Sequence, residues 1–314
     1  QPSLNLDSFM NSSSYGMFIG KQRSDATNYF DGYLSDIHFI DGQALDASSF
    51  GEAKDGTWIP KSYSGSYGTN GFRLDFNGNS NDTSGNGNNW TANNISAHDY
   101  VPDSPTNNFS VLNFLGANST TQTLSEGNLK ATFPNANAGG IASSTFGVSS
   151  GKWYWEILIL GNDGSTQPKL GIIPDTTLTN TSSSVDVAIT GHAYGRNGNK
   201  TIAGSASSYG AAFTNNDIIS FALDMDNGTL VAYKNNASQG TLGSSISGTQ
   251  LPAFTAYNNY SEIANFGQDS TFAGNITAGG NADGNGVGDF KYAPPSGYLA
   301  LCTANLPEPT IIDG

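Results

Sequence analysis

Few residues in this chain are of a type and spacing that could do chemistry. There are five glutamates: Glu52, Glu126, Glu156, Glu262 and Glu308. Retaining hydrolysis of a glycoside needs two carboxyl groups about 5–5.5 Å apart, and inverting hydrolysis about 6.5–9.5 Å. On a strand, that asks for a Glu-x-Asp-x-x-Glu kind of pattern. None of the five has an Asp or Glu two residues away. Asp224 and Asp226 share a strand parity, but a turn signal beside them accounts for both. His38, His98 and His192 are isolated, and none lies near a Gly-x-Ser-x-Gly elbow. They are expected to be surface or packing residues. Three scattered histidines and the lone Cys302 offer no zinc spacing. Asp283, Asn285 and Asp289 stand in a glycine-rich stretch, 281–289, whose hard oxygens would suit calcium. It lacks the terminal glutamate of an EF-hand loop, so a long polar loop is expected and no metal is assigned. No phosphate-cradling loop is present, and no cofactor is implied.

Recognition has better raw material. Tyr194, Arg196, Tyr209, Tyr257 and Tyr260 lie on or near polar stretches. Tyrosine combines apolar area with a polar tip, which suits sugars and protein surfaces. These five are the candidate ligand-binding residues, although any of them could simply end a strand.

Composition narrows the partners. The 314 residues carry 12 Lys+Arg against 26 Asp+Glu, for a net charge of −14. A phosphate backbone would be repelled, so nucleic acid is not an expected partner. No apolar run is long enough to span a bilayer, and no membrane insertion is expected. The N-terminal residues show no signal peptide. A single cysteine forms no intramolecular disulfide, and its apolar neighbours predict a buried thiol.

The scaffold for these residues is all-β. Hydrophobic residues make up 36% of the chain, and 39 glycines with many Asn, Ser and Thr punctuate short β-rich runs. Residues 151–160, GKWYWEILIL, place Trp153, Trp155, Ile157 and Ile159 on one parity. Burying such side chains stabilises by roughly 1.5–3 kcal/mol each, so this strand belongs in the middle of a core. Residues 219–225 and 230–234 alternate around Asn227-Gly228. That dipeptide predicts a two-residue hairpin turn in which Met225 opposes Leu230 and Leu223 opposes Ala232. Further strands are expected at 128–133, as an edge strand, and at 169–173, 185–189, 257–266 and 292–301. The best helical candidate, 44–50, has two turns at most.

GKWYWEI, then LGI at 170–172, NDIISFALDMDNGTLVAYKNN from 216 and IANFGQ at 263–268 together resemble a SPRY domain. They are similar in particular to SPRY-like modules in structural proteins of tailed bacteriophages, especially marine ones. The resemblance covers 111–306. It implies a concanavalin/SPRY-like antiparallel β-sandwich of jelly-roll type, and a binding module rather than a catalyst. Residues 29–42 resemble the last strands of a laminin-G-like sandwich. Residues 1–58 are therefore expected to be an incomplete second sandwich, completed by an upstream part of a longer polypeptide, a neighbouring subunit or the next domain. Residues 59–110 are read as an ordered Gly/Asn/Ser-rich connector. Residues 307–314 are read as a Pro-containing linker to a further module.

The functional expectation is a non-enzymatic module of a phage virion, in a tail fibre or a capsid-attached fibre or decoration. It would bind a host-surface glycan or protein, or a neighbouring virion protein, in a virion or extracellular setting. A homo-oligomer is expected, most naturally a trimer. The alternative is a secreted polysaccharide-active enzyme or its carbohydrate-binding domain.

Overall fold

A computed structural model describes residues 16–22, 27–30, 32–54, 57–113, 122–133, 140–161, 168–179, 190–256 and 260–307. The chain divides into two compact units, Gln1–Leu34 and Ser35–Gly314. In the first, Lys21 and Tyr29 form an antiparallel bridge, and the Lys21 ammonium lies 5.3 Å from the Phe18 ring and 5.8 Å from the Tyr29 ring. Phe18, Tyr29, Phe30, Tyr33 and Leu34 are exposed.

The second unit begins with two small sheets. β1 (Ile37–Phe39) pairs antiparallel with β4 (Phe72–Leu74), and Phe39 stacks on Phe72. β2 (Gly51–Lys54) pairs with β3 (Thr57–Pro60). Within the laminin-G-like stretch at 29–42, β1 starts at Ile37, directly after Asp36 with its left-handed φ of +48°. The helical candidate at 44–50 shrinks to one 3-10 turn, Ala47–Ser49, capped by the Asp46 side chain. The Asn-rich stretch that follows is held by its own side chains. Asp82 accepts from the backbone N–H groups of Arg73, Ser84 and Asn88. The Asn86 and Asn88 amides donate to the Gly71 carbonyl. Short polar side chains that bond nearby backbone are what such a sequence offers in place of a hydrophobic core.

The remaining strands make an antiparallel sandwich. β5 (Thr123–Ser125), β6 (Lys130–Thr132), β8 (Lys152–Ile159), β13 (Ile218–Asp224), β14 (Thr229–Lys234), β15 (Ala237–Gly243), β17 (Ser261–Asn265) and β18 (Leu299–Ala300) form an eight-stranded sheet. Seven of them run in the order β15-β14-β13-β8-β17-β6-β5, and β18 pairs with β8. β7 (Gly140–Ser143), β9 (Lys169–Pro174), β10 (His192–Gly195), β11 (Asn199–Ile202), β12 (Ser205–Ser208) and β16 (Gln250–Ala256) form a six-stranded sheet, ordered β12-β11-β10-β9-β16-β7. β8 occupies the centre of its sheet, as its apolar content requires. Trp153, Trp155, Ile157 and Ile159 join Phe221, Leu223, Leu230 and, from the other sheet, Leu170, Ile172 and Phe254 in one buried cluster. The Trp155 and Phe221 rings stack at 5.3 Å.

Four expectations need correction. The β13–β14 hairpin pairs Leu223 with Leu230 and Phe221 with Ala232, two residues away from the register read off Asn-Gly. The turn has four residues, 225–228, rather than two. Asp224 explains it: its carboxylate accepts from the Asn227 backbone N–H at 2.9 Å and from the Asn227 amide at 2.8 Å. Only Gly228 takes a positive φ. The shift is even, so the faces stay as expected. Second, β6 is not an edge strand, because β5 pairs outside it. Third, the closing strand at 292–301 contracts to β18, and it runs parallel to β8. Fourth, the strand expected at 257–266 is Ser261–Asn265, with 257–259 outside the described residues. The strand expected at 185–189 also lies outside them.

The second face of β8 is buried too. Tyr154, Ala222, Phe109, Phe290, Ala300 and Cys302 form a separate apolar cluster there. The C-terminal stretch around Phe290 and Cys302 therefore covers the outside of the central strands.

Candidate binding surface

The five residues singled out for binding fall into two groups. Tyr194 lies on β10, where strand alternation turns it inward, and its ring is fully buried. Its hydroxyl donates to the Ala211 carbonyl. Edge-on contacts join its ring to Tyr209 at 5.1 Å and Phe213 at 5.2 Å. Tyr209 follows β12 and ties the two sheets together. Its hydroxyl donates to the Gly240 carbonyl at 2.6 Å and accepts from the Ala232 N–H at 3.3 Å, both on the eight-stranded side. Lys200 of β11 covers the Tyr209 ring at 5.5 Å and reaches the Thr241 carbonyl. Burial pushes the Tyr194 and Tyr209 hydroxyls up to about 12, so both remain protonated donors.

The loop between β12 and β13 is pinned at several points. The Gln239 side chain accepts from the Ala211 N–H at 2.8 Å. Lys234 donates to the Ala212 carbonyl at 2.8 Å and pairs with Asp217 at 3.1 Å. Burial opposes ionisation of Asp217, but hydrogen bonds from Thr214, Asn235 and Lys234 hold its carboxyl below the usual range. In the second group, the Arg196 guanidinium stands 5.8 Å over the ring of Tyr260, which is itself buried. Tyr257 lies outside the described residues.

The structure thus brings Tyr194 to Tyr209 and Arg196 to Tyr260. It withdraws the Tyr194 and Tyr260 rings into the core, because polar neighbours in sequence do not reveal which parity faces in. Arg196 and Tyr209 remain partly exposed. Next to Tyr209, β12 carries Ser205, Ala206, Ser207 and Ser208 on the outer edge of its sheet, all exposed. An edge strand with free backbone donors and acceptors can take an added strand or a partner's loop.

Two of the five glutamates, read in the sequence only as unpaired, prove to be buried. Glu156 lies on the outer face of β8 and accepts from the backbone N–H groups of Lys291 (2.8 Å) and Tyr292 (2.9 Å), from the Tyr154 hydroxyl (3.0 Å) and from the Asn265 amide (3.3 Å). Burial nonetheless pushes its carboxyl up to about 7. Glu262 pairs across β17 with Ile159, a residue of inward parity, and its carboxyl is buried without a hydrogen-bond partner among the described residues. Burial raises it well above the ordinary value. The only sequence signal was each glutamate's place among apolar strand residues. The two project to opposite faces of one sheet, so they do not make the facing pair that glycoside hydrolysis uses.

The other chemical candidates are engaged structurally. Asp283 accepts from the N–H groups of Asn285, Val287 and Ala300 and from the Asn305 amide. It fastens its loop to β18. His38 lies 2.7 Å from the Tyr67 hydroxyl through Nδ1 and 3.2 Å from Asp36 through Nε2. His192 is held below its usual value by burial and by the Lys200 charge. No group of three or more metal-ligating side chains occurs among the described residues.

Residues 152–269, from β8 to just past β17, match the family model of the SPRY domain. They form a SPRY-like module. Among solved structures, the SPRY domain of human HERC1 is similar at 19% identity, covering 46% of this chain and 91% of that one with a TM-score of 0.39. Stonustoxin is similar at 19% identity, covering 50% of this chain and 27% of that one with a TM-score of 0.40. A search of curated proteins finds no match. The SPRY-like module contains the hairpin, the Tyr194–Tyr209 stitch and the exposed β12 edge. The strands β5, β6, β7 and β18 lie outside the matched span.

Proposed function

We propose that this chain is a non-enzymatic attachment or structural module of a tailed-phage virion, part of a tail fibre or of a capsid-attached fibre or decoration. Its SPRY-like module would dock a protein surface through the β12 edge and the flanking Arg196 and Tyr209. The partner is a host-surface protein or glycan, or a neighbouring virion protein. The observation that carries this reading is the SPRY match over residues 152–269, on a part of the chain whose loop after β12 is pinned by side chains. Rigidly held loops on a sandwich are how such folds recognise partners. The order of the GKWYWEI, LGI, NDIISFALDMDNGTLVAYKNN and IANFGQ motifs, similar to phage structural modules, supports the virion setting. Repeated copies are the rule in fibres, so a homotrimer is proposed.

The experiment is binding of the purified chain to host cells and to a glycan array, with its mass in solution measured alongside. Attachment that Arg196→Ala or a bulky, charged replacement of Ser207 weakens supports the reading. Release of oligosaccharide from a host polysaccharide would instead make it an enzyme.

A further inference from the structure

A cleft in the unit Ser35–Gly314, outside the SPRY-matched span, is lined by Asp36, Lys61, Arg73 and Asp75 together with the hydroxyl side chains of Ser62 and Thr106. Asp36 takes a left-handed φ of +48° there, a conformation that aspartate visits more readily than most non-glycine residues. Its carboxylate belongs to a side-chain relay. Asp36 Oδ1 accepts from Arg73 Nε at 2.8 Å and lies 3.2 Å from His38 Nε2, while His38 Nδ1 is 2.7 Å from the Tyr67 hydroxyl. The relay fixes Arg73 through Nε alone, so neither Nη group has a hydrogen bond among the described residues. Asp36 Oδ2 is likewise unbonded among them. Asp75 uses Oδ1 to accept from the Asn77 N–H and leaves Oδ2 unbonded. No ion pair among the described residues engages Lys61.

Unspent donors and unspent acceptors thus line the same cleft, two cations against two carboxylates. A simple anion there meets Asp36 and Asp75. A simple cation meets Arg73 and Lys61. A ligand satisfies both sets when each of its polar groups donates and accepts at once, as hydroxyls do. We propose that this cleft binds a neutral saccharide unit, with Asp36 and Asp75 accepting from adjacent sugar hydroxyls and Arg73 and Lys61 donating to them. The proposal deepens the attachment reading by giving a glycan its own site, away from the β12 edge. It is decided with soluble glycosides, whether or not the chain adheres to any cell.

Saturation-transfer NMR of the full chain tests it, using the methyl glycosides of glucose, galactose, mannose and N-acetylglucosamine, with sodium sulfate as competitor. At least one glycoside is expected to show transfer that sulfate does not abolish. Lys61→Ala and Asp75→Asn should each weaken it about tenfold, the size of one charge-assisted hydrogen bond. Lys61 has no ion pair to lose, and the amide oxygen introduced by Asp75→Asn would still accept from the Asn77 N–H, so both variants retain the fold. No transfer from any of the four glycosides, displacement by sulfate, or undiminished binding in either variant overturns the proposal.

Discussion

Glu156 anchors residues 291–292 to the outer face of β8. Four donors converge on its buried carboxyl, two of them backbone N–H groups. Glu156→Ala would strand those donors, at a cost of about 3 kcal/mol or more, read as a lower denaturant midpoint. Its titration has a definite sign. Burial pushes the folded-state value to about 7, against the ordinary 4.5. Between those two values the folded chain holds a proton that the unfolded chain has released. The stability Glu156 contributes is therefore fully present below about 4.5 and is lost as pH rises toward 7. Glu262, also raised by burial, acts in the same direction. Asp36, Asp82, Asp99, Asp217 and Asp224 are held below 3.8, so their contribution is lost only in stronger acid. The melting temperature should drop from pH 5 to pH 8, and Glu156→Gln should flatten the lower part of that slope. A rise over the same interval would refute the assignment.

At the scale of the element, the β13–β14 hairpin shows what the sequence reveals and what it hides. Alternation placed Phe221, Leu223, Leu230 and Ala232 on the core face, and the structure has them there. Register depended on the turn, and the turn was decided by the Asp224 side chain, whose bonds to Asn227 lengthen the loop. Period-two patterns cannot distinguish shifts of two residues. A related limit applies to Tyr194 and Tyr260: they stand on or near polar stretches, yet both rings are buried. The cleft around Arg73 was invisible for another reason, since Asp36, Lys61 and Arg73 come together only through the β1–β4 pairing and the loops around it. Gly228 makes the hairpin testable. It sits at φ +61°, and an added Cβ would stand 2.6 Å from the Ile246 carbonyl oxygen. Gly228→Ala should destabilise by about 1–2 kcal/mol from conformation alone, and by more through the clash, as measured by chemical denaturation.

At the scale of the whole molecule, the family match and the folding unit do not coincide. Residues 152–269 include β8, β13 and β17 but omit β5, β6 and β7, which extend both sheets, and Phe109, Phe290 and Cys302, which cover the outside of β8. A fragment of 152–269 should lose the Phe133–Phe254 contact and bare the Tyr154 face, and should show no cooperative thermal transition. A fragment of 107–307 should melt in one step. Equal behaviour of the two would show that the outer cover is dispensable.

Cys302 turns that cover into a gauge of its own motion. Its side chain is buried in the same cluster as Phe109 and Phe290, and burial leaves little of it as thiolate. Since the chain has one cysteine, a maleimide dye can mark only this atom. The rate of labelling then counts how often the C-terminal stretch lifts from the sheet. A mutation that loosened the Glu156 anchorage would announce itself as faster colour, well before any loss of secondary structure could be detected.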